Sequence, residues 1–153
     1  SEYLKFIHGL ERGAPDIDLD LEANVQAACL EAIQRGVVRS AHDVADGGLA
    51  VAVVESCIAG QIGASLDLAE APGRRDALYF GEDPSRIIVS IVTDRIGELE
   101  EICSGHDAPV HVIGRVGGDR IASPPDIDVK LAAAAEPWNR GLANALAGER
   151  DKG

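Results

Sequence analysis

No methionine occurs among the 153 residues, not even at position 1. The sequence therefore reads as a domain cut from a longer protein, or as a processed chain. Aromatic residues make up only 3% while apolar residues reach 46%. The chain is globular in composition, and its core has to be built from Ala, Val, Ile and Leu. Basic residues are scarce: 14 Lys and Arg stand against 26 Asp and Glu, a formal net charge of -12. This argues against nucleic acid as a partner, because phosphates attract Lys and Arg, and against anionic membranes. No apolar run approaches the roughly 20 residues of a transmembrane helix, and no signal-peptide pattern is present. The cysteines, Cys29, Cys57 and Cys103, are odd in number and form no CxxC. Their spacing fits neither a disulfide framework nor a zinc site, and suits buried thiols in a reducing cytosol. Repeats, low-complexity tracts and a dividing linker are all missing. The expectation is a single domain over residues 1–153, long enough to bury a core.

What is present is an alternation of helical and strand patterns. "SEYLKFIHGL" reads as a helix or turn leading in. Leu21, Val25, Ala28, Cys29, Ala32 and Ile33 recur at helical spacing, and Gly36 ends that helix. "VVRSAHDV" has strand character. "GGLAVAVVESCIAG" is apolar nearly all round, the pattern of a helix buried on several sides. "GASLDL" alternates as a strand does. "RRDALYF" fits one or two helical turns. "RIIVSIVT" is the strongest strand, β-branched and bounded by charge. "DRIGELEEICSG" reads as a helix with Asp94 as its N-cap candidate. "APVHVIGRVGGDRIA" reads as a hairpin turning at Gly117-Gly118. "IDVKLA" reads as a last strand, and "AEPWNRGLANALAG" as a last helix with Pro137 in its first turn. Interleaving of this kind predicts helices packed on a mixed sheet.

The stretch "SAHDVADGGLAVAVVESC" sets polar and flexible residues against the most apolar segment. Two readings fit it. In one, a helix starts near Gly47, and its free N–H groups and dipole favour an anion such as phosphate. Asp43 and Asp46 then hold a metal carried by that phosphate, and His42 donates a hydrogen bond. In the other, Asp46 caps a core helix, Gly47 and Gly48 allow close packing, and His42 is a satisfied polar group. A second constellation is the acidic turn Gly81-Glu82-Asp83-Pro84 ahead of the strongest strand. It fits either a ligand-facing carboxylate or a solvated turn shaped by proline. Asp94, Glu98, Glu100 and Glu101 read as a solvated helix face. His8, His106 and His111 show no metal-ligand spacing. No Ser-His-Asp or Cys-His pattern is present, so no catalytic residue is assigned.

"SEYLKFIHG", "AHDVADGGLAVAVVES" and "FGEDPSRIIVSI", in this order and at these separations, resemble the phosphoribosylformylglycinamidine synthase family. More narrowly, they are similar to the last domain of its synthetase subunit, the second of two domains of the aminoimidazole ribonucleotide synthetase C-terminal type. The resemblance runs from residue 1 to about residue 131 and includes "VHVIGRVGGDRI". It implies an α+β fold of three layers, α/β/α, with a mixed sheet. It implies a part in an ATP-dependent C–N ligase of cytoplasmic purine biosynthesis, which converts formylglycinamide ribonucleotide and glutamine-derived ammonia to the amidine. ATP and Mg2+ serve the parent enzyme, and none is expected tightly bound to this piece. The implied partners are the ATP-binding domains of the same subunit and the glutaminase component of the enzyme. The catalytic histidine of the family lies in segments outside this sequence, so the piece alone is expected to be inactive.

The resemblance also implies a nucleotide or phosphate pseudo-site at His42, Asp43, Asp46, Gly47, Gly48 and Glu82, with no metal ligands assigned. In the first-half domain of the family the matching turn reads Glu-Ser-Gln and touches substrate. Here it is Glu82, Asp83 and Pro84, and the proline removes a side-chain donor and a backbone N–H. That change suits the pseudo-site half. The alternatives are the matching domain of aminoimidazole ribonucleotide synthetase or of selenophosphate synthetase, or a free-standing acidic interaction module. "SEYLKFIHG" favours the first choice. A family domain separated from its partners is expected to expose apolar surface and to self-associate.

Overall fold

The computed structural model describes residues 1–11, 16–68, 71 and 73–150. In chain order the elements are α1 (Glu2–His8), α2 (Leu19–Gln34), β1 (Val38–Asp43), α3 (Gly48–Gly60), β2 (Ala64–Leu66), α4 (Arg75–Phe80), β3 (Ile87–Ile91), α5 (Ile96–Gly105), β4 (Gly114–Val116), β5 (Arg120–Ser123), β6 (Ile127–Lys130) and α6 (Leu131–Arg150). The class is α+β, as expected. The chain divides into two compact units, Ser1–Ser56 with Ala71–Val112, and Cys57–Glu70 with Ile113–Gly153.

The first unit is built on β1 and β3, which pair antiparallel with His42 opposite Ile88 and Asp43 opposite Ile87. Helix α2 begins at Asp18, whose carboxylate accepts the N–H groups of Asp20 and Leu21 at 3.0 Å, a side-chain N-cap. It ends at Gln34, and Gly36 then takes a left-handed φ of 65°. Ala28 and Ala32 of α2 meet Leu99, Ile102 and Cys103 of α5, with Val37 just ahead of β1 and Val89 and Ile91 of β3 alongside. A Val, Leu or Ile side chain, fully buried, contributes about 1.5–3 kcal/mol, and the alanines contribute less. Ile33, placed in the core stripe by spacing, turns outward instead and is 49% exposed. The stripe centres on Ala28 and Ala32, and one further residue rotates the side chain by about 100°.

Asp94 does not cap α5. It lies in a 3₁₀ turn, Thr93–Arg95, and α5 starts with no side-chain cap. Arg95 holds this end instead, donating to Glu98 at 3.0 and 2.7 Å and to the carbonyl of Gly36. Glu98 also receives Arg35, the C-cap of α2, at 2.9 Å. It is therefore a cross-link between helices as well as part of an acidic face.

The second unit carries the mixed sheet, with strand order β4-β2-β5-β6. The expected hairpin at Gly117-Gly118 does not form: β4 and β5 both pair with β2, the first antiparallel and the second parallel. Backbone contact decides this. Gly63 N–H donates to Gly118 O at 2.9 Å, and Gly117 N–H donates to Gly63 O at 2.8 Å. A Cβ on Gly63 would lie 2.1 Å from Arg120 O, and one on Gly114 would lie 2.2 Å from Ser65 O. Glycine at both positions lets β2 enter between the two strands. Its alternation holds, with Ala64 and Leu66 buried and Ser65 exposed. Among the described residues only this sheet is mixed; β1 and β3 form a separate pair. Helix α6 starts at Leu131, earlier than the sequence pattern predicts, so Pro137 lies inside the helix and not in its first turn.

Candidate site at the start of helix α3

Between β1 and α3 the backbone reverses through Val44, Ala45, Asp46 and Gly47. Val44 N–H donates to Arg86 O at 2.9 Å, and Gly48 N–H donates to Ala45 O at 3.0 Å. Gly47 and Gly48 have φ of 82° and 73°, a region that residues with a Cβ rarely adopt. Space forbids a side chain as well. A Cβ on Gly48 would sit 2.7 Å from the carbonyl oxygens of Tyr79 and Gly81, and one on Gly47 would strike Val51 at 2.4 Å. The glycine pair therefore lets the start of α3 lie directly on the end of α4.

Glu82 closes this junction. Its Oε1 accepts the N–H of Gly47 at 3.0 Å and the N–H of Glu2 at 2.7 Å. One carboxylate thus ties the first turns of α1 and α3 to the turn after α4. Burial pushes the Glu82 carboxyl up, but the N–H groups of Glu2 and Gly47 and the amino group of Ser1 outweigh it, so the net shift is below the ordinary glutamate value. Tyr3 fastens α1 further by stacking on Phe80, with centroids 4.6 Å apart and planes at 7°.

His42 is held elsewhere. Its Nδ1 lies 2.6 Å from Asp43 O, and its Nε2 lies 3.0 Å from Glu55 Oε2. Asp43 is exposed and lines a cavity of about 310 Å³ together with Glu22, Ser85 and Arg86. There Ser85, at a left-handed φ of 63°, donates to Glu22 Oε2 at 2.6 Å. The Ser85 hydroxyl, then the Gln26 amide, hold the Glu22 carboxyl below its usual value. Asp46 is exposed.

The structure therefore joins Gly47, Gly48 and Glu82 at one junction, and it turns His42 toward Glu55. Asp43 and Asp46 remain as exposed carboxylates. Glu55, Glu22 and Ser85 escaped the sequence reading. Glu55 left a signal: it is the one charged residue in "GLAVAVVESCIAG", and a carboxylate there needs a partner.

A nucleotide phosphate fits these residues poorly. The Gly47 N–H is taken by a carboxylate, and the Gly48 N–H is taken by Ala45 O. The guanidinium of Arg86 faces Gly81 O and Asp83. Among the described residues no group of three or more His, Cys, Asp or Glu could hold a metal ion. The geometry is that of a packed helix start with acidic residues at its rim.

A family model, AIR synthase related protein, C-terminal domain, matches residues 1–145. The chain belongs to this family. It is 42% identical over 149 residues to the phosphoribosylformylglycinamidine synthase subunit PurL of Thermomicrobium roseum, a match covering 95% of the chain and 20% of that protein. To the same subunit of Synechocystis it is 38% identical over 154 residues, again 95% of the chain and 20% of the relative. The chain thus spans about 20% of the length of these relatives. Phosphoribosylformylglycinamidine synthase II of Thermotoga maritima has the same fold, with a TM-score of 0.69 at 23% identity over 79% of the chain and 22% of that protein. T. maritima PurL complexed with ADP gives 0.68 at 23% identity, over 78% of the chain and 22% of PurL. The T. maritima assembly PurLQS gives 0.67 at 22% identity, over 86% of the chain and 24% of that chain.

Proposed function

We propose that this chain, residues 1–153, is one C-terminal-type domain of the synthetase subunit of a phosphoribosylformylglycinamidine synthase, the second of the two, and that its work is structural and site-completing. The parent enzyme uses ATP and Mg2+ to convert formylglycinamide ribonucleotide and ammonia to the amidine in cytoplasmic purine biosynthesis. The observation that carries this reading is the match to PurL subunits along 95% of the chain at about a fifth of their length. The geometry supports a non-catalytic role: the carboxylate and the glycines of the two motifs are spent on holding α1, α3 and α4 together. Among the described residues no helix is long and apolar enough to cross a membrane.

The partners on this reading are the ATP-binding domains of the same subunit and the glutaminase component. Large apolar side chains stand exposed, among them Phe6 at 75%, Leu19 at 71% and Trp138 at 57%. Such surface suits contact with the rest of a subunit, and self-association when the domain is alone. In the complete subunit Asp43 and Asp46 are the exposed carboxylates left to face a nucleotide-bound magnesium ion. His42, Gly47, Gly48 and Glu82 set the shape of that rim. The test is ADP release with the ribonucleotide substrate, ATP, magnesium and ammonia. The chain alone is expected to match a no-protein control, and turnover above it would overturn the proposal.

A further inference from the structure

We infer that the outward face of α2 is an interaction surface, and that its occupant is α2 of a second copy of this chain, laid antiparallel about Gln26. Helix α2 has two apolar faces. Ala28 and Ala32 face the core. Away from it, Leu19, Ala23, Gln26, Leu30 and Ile33 are all exposed. They follow one another by four, three, four and three residues, the spacing of a seam between two packed helices. A helix that meets only its own core needs a single apolar stripe. Scattered exposed apolar residues are ordinary, but a regular row along a 16-residue helix marks a contact.

The seam is complementary to itself. In an antiparallel pair centred on Gln26, Leu19 of one copy meets Ile33 of the other and Ala23 meets Leu30. The two Gln26 side chains meet at the two-fold axis, the arrangement of a symmetric dimer. Small against large lets the layers interdigitate. The Gln26 Nε2 donates one hydrogen to Glu22 Oε1 at 2.5 Å. A second hydrogen remains for the Oε1 of its counterpart, and its own Oε1 can accept in return. One polar residue in an apolar seam fixes the register. Charge agrees. The start of α2 carries Asp16, Asp18 and Asp20, all exposed, and its end carries Arg35. Antiparallel packing brings Arg35 of each copy beside the acidic start of the other and opposes the two helix dipoles; parallel packing would set acid on acid. Arg35 gives one N–H to Glu31 and one to Glu98 and has others to donate. The inference rests on the self-association proposed above, for which it names the surface, and not on the ligase activity.

The test uses the 153-residue chain. Sedimentation velocity across protein concentration is expected to show a monomer–dimer equilibrium. Leu30→Glu and, separately, Ile33→Glu should each raise the dimer dissociation constant at least about tenfold, since by symmetry each places two unpaired carboxylates in the seam. Far-ultraviolet circular dichroism should stay that of the parent chain. Phe6→Glu, at an exposed apolar position on α1, should leave the constant unchanged. Gln26→Cys should give a covalent dimer under mild oxidation, above the background that the parent chain's own three cysteines set. Asp20→Cys should not, because its two copies lie about 18 Å apart along antiparallel helices. A monomer at every concentration, a dimer indifferent to both seam variants, or trapping at position 20 and not at 26 would overturn the inference. A dimer that persists in the seam variants would leave the proposed self-association standing, and ADP release reads the ligase proposal separately, so the failures are distinguishable.

Discussion

Gly48→Ala should destabilise the first unit more than any exposed left-handed glycine in it. Two terms add at this position. With φ at 73°, alanine meets the steric clash of the left-handed region, about 1–2 kcal/mol. The new Cβ also lies 2.7 Å from Tyr79 O and Gly81 O and 2.8 Å from Phe80 C. These are backbone atoms of one short helix end, so no rotamer change relieves them, and overpacking of this kind costs roughly 1–3 kcal/mol. The total is about 2–5 kcal/mol. Gly36→Ala is the matched control. Its φ is 65°, but nothing lies within 4 Å of its Cβ, so only the first term applies. With a urea slope of about 1–3 kcal/mol per molar, the Gly48 variant should unfold at a midpoint lower than the Gly36 variant by about 1 M. Equal midpoints would refute the claim that α3 begins directly on the end of α4.

Other expectations follow from the same geometry. Gly63→Ala should disrupt the β2 ladder, since its Cβ would fall 2.1 Å from Arg120 O. Lost protection of the Ala64 and Leu66 amides in hydrogen exchange would show it, and unchanged protection would refute it. Glu82 carries a lowered pKa in the fold. Its stabilisation is therefore complete above the ordinary glutamate range and is lost as pH falls through the depressed value. The gap in urea midpoint between the parent chain and Glu82→Gln should shrink on acidification; a gap independent of pH would contradict the junction described for this carboxylate. The chain alone should bind Mg-ADP no better than millimolar. Millimolar affinity already needs about 4 kcal/mol, and a helix N-terminus supplies roughly 0.3–1. Micromolar binding in calorimetry, lost in Asp46→Asn, would show that the rim suffices by itself.

The sequence made the local elements legible where period and punctuation agree. The strand pattern of "RIIVSIVT", the helical spacing of Leu21, Val25, Ala28 and Ala32 and the end of α2 before Gly36 are local facts of residue type. Pairing was not legible at Gly117-Gly118, because the partner of both flanking strands, β2, lies some fifty residues earlier and enters through Gly63 and Gly114. At the candidate site the glycine pair was recognised, but spacing alone left phosphate binding and close packing both open. The structure adds a contact from residue 82 to residue 47, beyond the reach of any local pattern. Glu55 was visible as a lone charge on an apolar helix, yet its partner depended on how β1 is placed beside α3. The family resemblance was legible because its motifs occur together and in order.

On the proposed function, the chain completes a site whose chemistry lies in the rest of the subunit. The most direct measurement is complementation. A phosphoribosylformylglycinamidine synthase synthetase subunit lacking the matching segment is assayed for ADP release with the ribonucleotide substrate, ATP, magnesium and ammonia, with and without this chain added. Neither piece alone is expected to turn over substrate, and turnover is expected to return when they are combined. Full activity in the truncated subunit, or turnover by the chain alone, would contradict it.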